Sequence, residues 1–525
     1  MRREQVFSGW GEPGAGPALP ERAATLLRDR LGVSGEVVSR PVALEHVRLR
    51  APVVPAALRS ALERAVGGEH VRDDRAARVL RAGGKSYVDL VALRAGAADD
   101  APDLVVAPGD ETQVLAVLQA CAEAGAAVIP FGGGTSVVGG VAPLRGRWET
   151  AVSLDLARLD AVLEVDPRSR LARVQAGRRL PELDHALGAF GLRLGHVPQS
   201  YEWATVGGCA ATRSAGQASS GVGRFEDLVA GLRCVTPLGT LAAPAVPASA
   251  AGPPLRELVL GSEGRLGVIS ELTLRVMPVP ARERFAAWLV PGFEPGCELL
   301  RALAQEGCAP AVVRLSDAEE TATTMALAGG RALGRCLLIC GWEGSALDRR
   351  RRAGAGALMR ARALPLGAGP GRAWRATRFA APHLRDDLLD RGVLAETLET
   401  ATTWSRLAGL HARVGAALRG ALAGTPPIVG CHVSHVYPDG ASLYFTVLAR
   451  QDRTDPAGQW RAAKRAGTDA VLAGGGTLTH HHAIGTEHRP WLAAEHGELG
   501  VELLRTLAQR CDPAGIMNPG KLLPD

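Results

Sequence analysis

Residues 130–140, PFGGGTSVVGG, place five glycines in eleven positions directly after the apolar run AAVIP. Such a stretch neither extends a strand nor seeds a helix, because glycine loses more conformational freedom on ordering than any other residue. What it offers is backbone that can approach an anionic group with no Cβ in the way, successive N–H groups forming a nest. Upstream, PDLVVAPGDETQVLAVLQACAEAG (102–125) reads as a strand followed by an amphipathic helix. Strand, helix, strand and glycine turn make a βαβ-like unit. Taken alone, the glycine segment fits a plain turn equally well.

Two further glycine- and serine-rich segments lie downstream, PQSYEWATVGGCAATRSAGQASSGVGRFEDLV (198–229) and GSEGRLGVIS (261–270). Strand candidates TAVSLDL, AVLEVD and RLARVQAG and the helix RLPELDHALGAFG fall between the first loop and the second. Three such loops bracketing short strands suit a long, doubly phosphorylated ligand laid across a sheet, with amides on its phosphates and Ser, Thr and Gln groups on its heterocycle. The common nucleotide and hydrolase motifs fail. GGKS (83–86) has Val79 where a phosphate loop needs glycine, and there is no GxGxxG after a strand, no GxSxG and no HExxH.

At 525 residues the chain is too long for one core. The segment GVISELTLRVMPVPA (267–281) alternates like a strand and closes on prolines, which sets a boundary near residue 280. Beyond it PAVVRLSD, RCLLICGWEG and ASLYFTVLA are strands separated by helices, an α+β pattern, and the last 75 or so residues are mainly helical. The units expected are therefore 1–97 (mainly helical), 98–280, 281–450 and 451–525.

Charge excludes less than it suggests. The net charge of +6 comes almost wholly from arginine, only Lys85, Lys464 and Lys521 being lysine, and the arginines are scattered among Ala and Gly. A nucleic-acid binder clusters its charge and, for single strands, supplies stacking rings, whereas aromatic residues are only 4% here. The basic run DRRRRAGAGALMRARA (348–363) reads as a solvated helix or loop. Nine cysteines without a CxxC or zinc spacing fit reduced thiols in a cytoplasm. The segment MRREQVFSGWGEPG lacks the apolar core of a secretory leader, and the uncharged run 234–255 carries five prolines, so it reads as a loop and not a membrane span.

The three loops together resemble the PCMH-type FAD domain of the vanillyl-alcohol-oxidase-type superfamily. With GGKSYVDLVALRAG, PHLRD, ETLETATTW, VSHVYPDGASLYFTV and LTHHHAIG, the chain most resembles the alkyldihydroxyacetonephosphate synthase family of ether-lipid synthesis, over about four-fifths of its length. The resemblance implies an α+β fold: a two-subdomain FAD-binding domain, an α/β cap and a helical C-terminal segment that closes the active site. FAD would be held by Pro130, Phe131, Gly132, Gly133, Gly134, Thr135 and Ser136. Gln199, Ser200, Tyr201, Glu202, Trp203, Ala204 and Thr205 would follow, then Thr212, Arg213, Ser214 and Ala215. Glu263, Gly264, Arg265, Leu266, Gly267, Val268 and Ile269 would complete the set. Thr135 and Ser136 stand where covalent members carry a histidine, so the FAD is expected to be non-covalent.

The same resemblance gives LTHHHAIG (478–485) an acid/base role, with His480, His481, His482 and Tyr444 catalytic and Arg385 and Arg314 binding substrate. Guanidinium groups suit a phosphate, and imidazole is poised to take a proton near neutral pH. The reaction implied is exchange of the acyl group of acyl-dihydroxyacetone phosphate for a long-chain alcohol, without net redox, with oxidised flavin as electron sink. Other readings stay open. His432 and His435 have an HxxH spacing that could serve a metal, although no metal is assigned. Adjacent side chains on a strand point to opposite faces, so three histidines in a row line one pocket only if the backbone turns. An FAD-linked oxidase or dehydrogenase of a hydroxy acid or alcohol is the alternative activity. A homodimer, cytoplasmic location and peripheral membrane contact with lipid substrates are further expectations; the chain ends LLPD, which is no peroxisomal address.

Overall fold

The helix that backs the glycine segment has both ends written into the sequence. Asp110 accepts a hydrogen bond from the Gln113 amide at 2.8 Å to cap Glu111–Ala124, and Gly125, at φ +67°, ends it in a left-handed turn. Val114, Val117, Leu118 and Cys121 form its buried stripe. In this computed structural model, which describes residues 3–16, 19–328, 334–344, 346–360 and 362–524, the helix covers a four-stranded sheet. Residues 1, 2 and 525, read above for chain-end signals, and residue 361 of the basic run lie outside the described residues.

That sheet contains Val71–Arg72 (β1), Leu104–Val106 (β2), Ala126–Phe131 (β3) and Thr150–Asp155 (β4) in the order β1-β2-β4-β3. β2, β4 and β3 are parallel, and all six residues of β4 are buried, as a strand covered on both faces requires. The unit reaches further back than residue 98. β1 pairs with β2, and helix Ala56–Val66 adds Leu58, Leu62 and Val66 to the core around Val114 and Leu118. A two-residue strand leaves no periodic signal, and a helix's sequence does not say which sheet it covers.

The second subdomain is an antiparallel sheet of Val162–Asp166 (β5), Leu171–Gln175 (β6), Val229–Thr236 (β8), Gly239–Ala243 (β9) and Val268–Arg275 (β10), ordered β5-β6-β10-β8-β9. A ribbon pairs Leu192–Arg193 (β7) with Met277–Pro278 (β11). The uncharged run expected to be a loop begins inside the β8–β9 hairpin, and the irregular part starts only where the prolines after Ala243 deny the ladder its donors.

The cap is one seven-stranded antiparallel sheet: Arg284–Val290 (β12), Val312–Ser316 (β13), Cys336–Trp342 (β14), Leu364–Gly367 (β15), Val393–Thr403 (β16), Ile428–Val433 (β17) and Gly440–Arg450 (β18), ordered β15-β12-β14-β13-β17-β18-β16. Along β18, Leu443, Phe445 and Val447 enter the core while Tyr444 takes the other face. Helices Trp404–Ala421 and Pro456–Ala473 pack together on the core side, so the C-terminal segment divides. Its first helix belongs to the cap. Its tail returns to the first sheet, where Val128 donates to the Ile516 carbonyl and accepts from the Asn518 amide, both at 2.8 Å. Among the described residues no helix is long and apolar enough to cross a membrane.

Candidate active site

The backbone of LTHHHAIG does turn, and a carboxylate from the cap is what it turns around. Glu399 on β16 is 2% exposed and accepts from three consecutive amides: His480 at 2.8 Å, His481 at 3.2 Å and His482 at 3.1 Å. The Thr479 hydroxyl donates to the same group. Burial alone would raise this carboxyl, but His481, beside it and hydrogen-bonded to it, holds it well below the usual range. The far end of the segment hangs on Glu263 of the GSEG loop, which accepts from the Ile484 amide at 2.9 Å and the Gly485 amide at 2.8 Å. Burial pushes the Glu263 carboxyl up to about 7. Gly485 lies so close to the glycine loop that a Cβ there would sit 2.0 Å from the Val138 carbonyl oxygen.

The turn gathers rings. Tyr444 stacks on His432 at 4.9 Å and on His481 at 5.9 Å and meets His482 edge-on at 5.5 Å. His435 stacks on His480 at 4.8 Å. Burial pushes His482 down to about 3, and His435 and His480 lie well below the usual histidine range, so all three stay neutral. Burial pushes the Tyr444 phenol up to about 12, which keeps it protonated; its hydroxyl donates to Thr397 Oγ1 at 3.3 Å.

The two arginines differ. Arg314 on β13 donates to Glu320 at 2.5 Å and lies 3.1 Å from His432 Nε2, while His432 Nδ1 is 3.2 Å from the same carboxylate. This closed triad leaves Arg314 holding His432, not reaching for substrate as the sequence reading expects. Arg385, on helix Ala381–Asp390, spends only Nη1, on the Lys85 carbonyl at 2.6 Å. Its Nε and Nη2 are buried without a hydrogen bond, the nearest carboxylate, Asp386, standing 3.9 Å away. A buried guanidinium edge with unpaired donors is a ready receptor for an anion.

The HxxH pair does not converge, for His432 faces Arg314 and His435 faces Ser219, its Nδ1 2.5 Å from the hydroxyl. His435, His480 and His481 do bring imidazole nitrogens within 4.8 Å of one another, a spacing that could hold a metal. Hydrogen bonds already occupy these rings: His480 Nδ1 is 3.0 Å from His481 Nδ1, and His480 Nε2 is 2.6 Å from the Tyr437 hydroxyl. As it stands, the cluster is arranged to share protons.

Backbone contacts shape the flavin groove. A Cβ at Gly132 would fall 2.4 Å from Thr205 Oγ1, and one at Gly133 2.2 Å from the Trp203 carbonyl oxygen, so only glycine lets the loop lie against the second subdomain. Gly134 takes φ +66°. Among the described residues the amides of Gly133, Gly134 and Thr135 have no hydrogen-bond acceptor, which leaves a nest of donors. The residues fit a pyrophosphate. Strain points to the same place: Arg213, Glu263, Ala483 and Asn518, one from each converging segment, all have positive φ. Asn518 ties them, donating to the Gly140 and Glu263 carbonyls.

Several side chains expected on the cofactor are turned elsewhere. Tyr201 donates to Asp184 at 2.7 Å and stacks on Phe379 of the cap, Gln199 donates to the Arg378 carbonyl, and Trp203 lies under Arg179. Val268 and Ile269 are core residues. The side chains of these segments fasten the walls. Thr212, Arg213, Glu263, Arg265 and Leu266 line a cavity of about 960 Å³ that also reaches Tyr437, His480 and His481. The sequence reading missed Glu399 and Tyr437, and gave Glu263 to the cofactor where the structure has it hold the histidine segment. Two glutamates inside the strand-like ETLETATT were the available signal for the first.

Comparison with known proteins agrees with this geometry. Residues 102–243 match a family described as FAD binding domain, and residues 279–522 match FAD linked oxidases, C-terminal domain. The chain is 33% identical to alkyldihydroxyacetonephosphate synthase of Dictyostelium discoideum over 482 residues, 87% of this chain and 79% of that one. It is 29% identical to the Trypanosoma brucei brucei protein of the same name over 570 residues, 99% and 92% of the two chains. A solved structure of an alkyldihydroxyacetonephosphate synthase superposes with a TM-score of 0.85 at 28% identity, covering 99% of both chains. With its nest of free amides, its unpaired Arg385 edge and a relative matched along nearly nine-tenths of its length, the chain belongs to the alkyldihydroxyacetonephosphate synthase family.

Proposed function

We propose that the protein is an FAD-dependent alkyl transferase that exchanges the acyl group of acyl-dihydroxyacetone phosphate for a long-chain alcohol without net redox. The observation that carries this reading is the shared cavity: the imidazoles of His480 and His481 open into the same space of about 960 Å³ as Leu258, Leu503, Leu504 and Leu507. Proton-transfer groups at the end of a lipid-sized apolar cavity suit an amphipathic substrate. Bound flavin supplies an electron sink for the carbon beside the carbonyl.

The chain's own groups do the rest. Arg385 receives the phosphate on its unpaired edge. His482 or His481 takes the proton from the carbon beside the carbonyl and returns it there once the ether bond has formed, while Tyr444, protonated, donates to the departing carboxylate oxygen and recovers a proton from the incoming alcohol. Arg314 and Glu320 fix the His432 ring under Tyr444. We propose non-covalent FAD, because residues 130–136 contain no histidine or cysteine to bond it.

Membrane contact is proposed from the cavity rim. Leu258 and Leu503 line it, and Leu255 and Leu499, one turn away on the same helices, are 51% and 68% exposed. Vesicle flotation tests this. A cytoplasmic location is proposed from nine free cysteines, tested by fractionation, and a homodimer from resemblance to the family, tested by light scattering.

The test of function is to mix holoprotein with acyl-dihydroxyacetone phosphate and labelled hexadecanol under argon. Labelled ether lipid without lasting flavin bleaching is expected. No ether product, together with bleaching by hydroxy acids, would overturn the reading in favour of an oxidoreductase.

A further inference from the structure

The segment REQVFSGWG (3–11), which lacks the apolar core of a leader, lies against the helix that carries Arg385. The Val6 amide donates to the Gly11 carbonyl at 2.8 Å and closes residues 6–11 into a loop. Gln5 ties the loop to the cofactor segment by donating to the Gly133 carbonyl at 2.8 Å, and Arg94 donates to the Ser8 carbonyl at 3.0 Å. Further along, the Trp10 amide donates to Asp386 Oδ2 at 2.5 Å. Trp10 is 5% exposed, so the loop is packed into the protein and not merely laid over it. Lys85 of GGKS, the segment that fails as a phosphate loop, joins the parts. Its amide donates to the Ser136 carbonyl at 2.6 Å, its ammonium to the Val6 carbonyl at 2.7 Å, and its carbonyl accepts Arg385 Nη1 at 2.6 Å.

What the loop holds is the carboxylate best placed to spoil the phosphate site. Asp386 stands 3.9 Å from Arg385 Nε. Its Oδ1 is buried without a hydrogen bond, and so are Arg385 Nε and Nη2. About 1 Å of travel would close the gap to a charged hydrogen bond of ~2.8 Å. A buried carboxylate free to move would make that bond, because each group would then satisfy the other. The Trp10 amide opposes it by taking one oxygen, and Arg94 and Lys85 are further positive groups that draw on the same carboxylate. Gly9 shows how close the fit is. A Cβ there would fall 2.5 Å from Asp386 Oδ2, although Gly9 is outside the left-handed region and alanine would suit its backbone.

We infer that the loop 6–11 is a clasp that holds Asp386 away from Arg385 and so keeps the guanidinium edge open for the substrate phosphate, an inference that rests on the reading of Arg385 as the phosphate receptor. Gly9 and Trp10 are positioning residues: they act through Asp386 and never touch substrate. Gly9 lets the loop backbone come up to the carboxylate, and the Trp10 amide fixes the oxygen that it reaches. The incoming phosphate then meets two free donors, Nε and Nη2, in place of a closed ion pair that it would have to break.

Gly9→Ala in the holoprotein sets a methyl against Asp386 Oδ2 and drives the carboxylate off the Trp10 amide. Calorimetric titration with dihydroxyacetone phosphate is expected to show Kd raised roughly tenfold, the effect of one charged hydrogen bond withheld, with the flavin spectrum unchanged. Asp386→Asn alone removes the competing charge and is expected to tighten binding. The double variant is expected to bind as Asp386→Asn does, because a carboxamide does not neutralise Arg385. An unchanged Kd in Gly9→Ala, or a weakening that persists in the double variant, overturns the clasp. Weaker binding by Asp386→Asn alone overturns it too, since Asp386 would then support Arg385. Equal binding by the unaltered protein and Arg385→Ala overturns the phosphate role of Arg385 and the clasp with it. Alkyl transfer is judged separately, by labelled ether formation in the unaltered protein.

Discussion

A single carboxylate decides what three consecutive histidines can do. Glu399 takes three amides and a hydroxyl from one loop, and the bend this forces brings rings that an extended strand would send to opposite faces onto one side. Glu399→Gln places an amide donor among those N–H groups. Loss of about 2–3 kcal/mol in urea unfolding is expected from charged hydrogen bonds left unmade, with a collapse of kcat in the same variant; an unchanged unfolding midpoint would refute the support role. Arg385 makes a separate prediction. Arg385→Lys keeps the charge and loses the planar fork, so KM for the phosphate-bearing substrate should rise on the order of tenfold with the flavin spectrum unaltered. Initial rates against substrate concentration decide it. The triad of Arg314, Glu320 and His432 has another character: its charges are already balanced, and Arg314→Ala should lower kcat more than it raises KM.

At the scale of the element, the glycine loop and the histidine loop are one construction. Gly133 lies against the Trp203 carbonyl, Gly485 against Val138, and the Thr486 amide donates to Val138 at 2.9 Å. The cofactor loop therefore forms part of the floor on which the acid/base loop rests. Gly133→Ala would drive a methyl into backbone, which cannot rotate aside. The variant is expected to purify without bound flavin, read as lost absorbance at ~450 nm, the usual flavin band, while its circular dichroism stays that of an α+β protein. Retained yellow colour would mean the loop has room that the contacts deny. β16 shows how an element can escape notice: Glu396 and Glu399 interrupt its apolar pattern, yet both are buried, one accepting from the Tyr87 amide and the other from the histidine loop.

Over the whole molecule, buried imidazoles set the response to acid. Burial pushes His196, His482 and His488 down to about 3, and His435 and His480 fall well below the usual range. In the unfolded chain they titrate near 6.5, so the unfolded state binds more protons between those values. Their stabilising contribution is complete above about pH 6.5 and is lost as pH falls towards 3. Melting temperature should drop by several degrees between pH 7.5 and 5, and His488→Gln, whose parent ring lies 2.8 Å from the Ala483 carbonyl, should flatten that slope. A Tm constant over this range would show that the rings are not held neutral.

Sequence by itself determined the elements whose signal is local: the capped helix Glu111–Ala124, the fully buried β4, the alternating β18 and the glycine loops that require close backbone approach. It also carried the family, because those loops and LTHHHAIG are contiguous strings. What it could not contain were relations between distant residues. That β1 joins the first sheet through a pairing with the distant β2, that Arg314 is neutralised by Glu320 while Arg385 keeps its donors free, and that Tyr437 meets His480 are facts of placement in space. Periodicity reports which face of an element is apolar, not which partner covers it. The free energy of a buried charge depends on donors brought from elsewhere in the chain. Tertiary structure therefore decided which polar residues are fastened and which are left free to act.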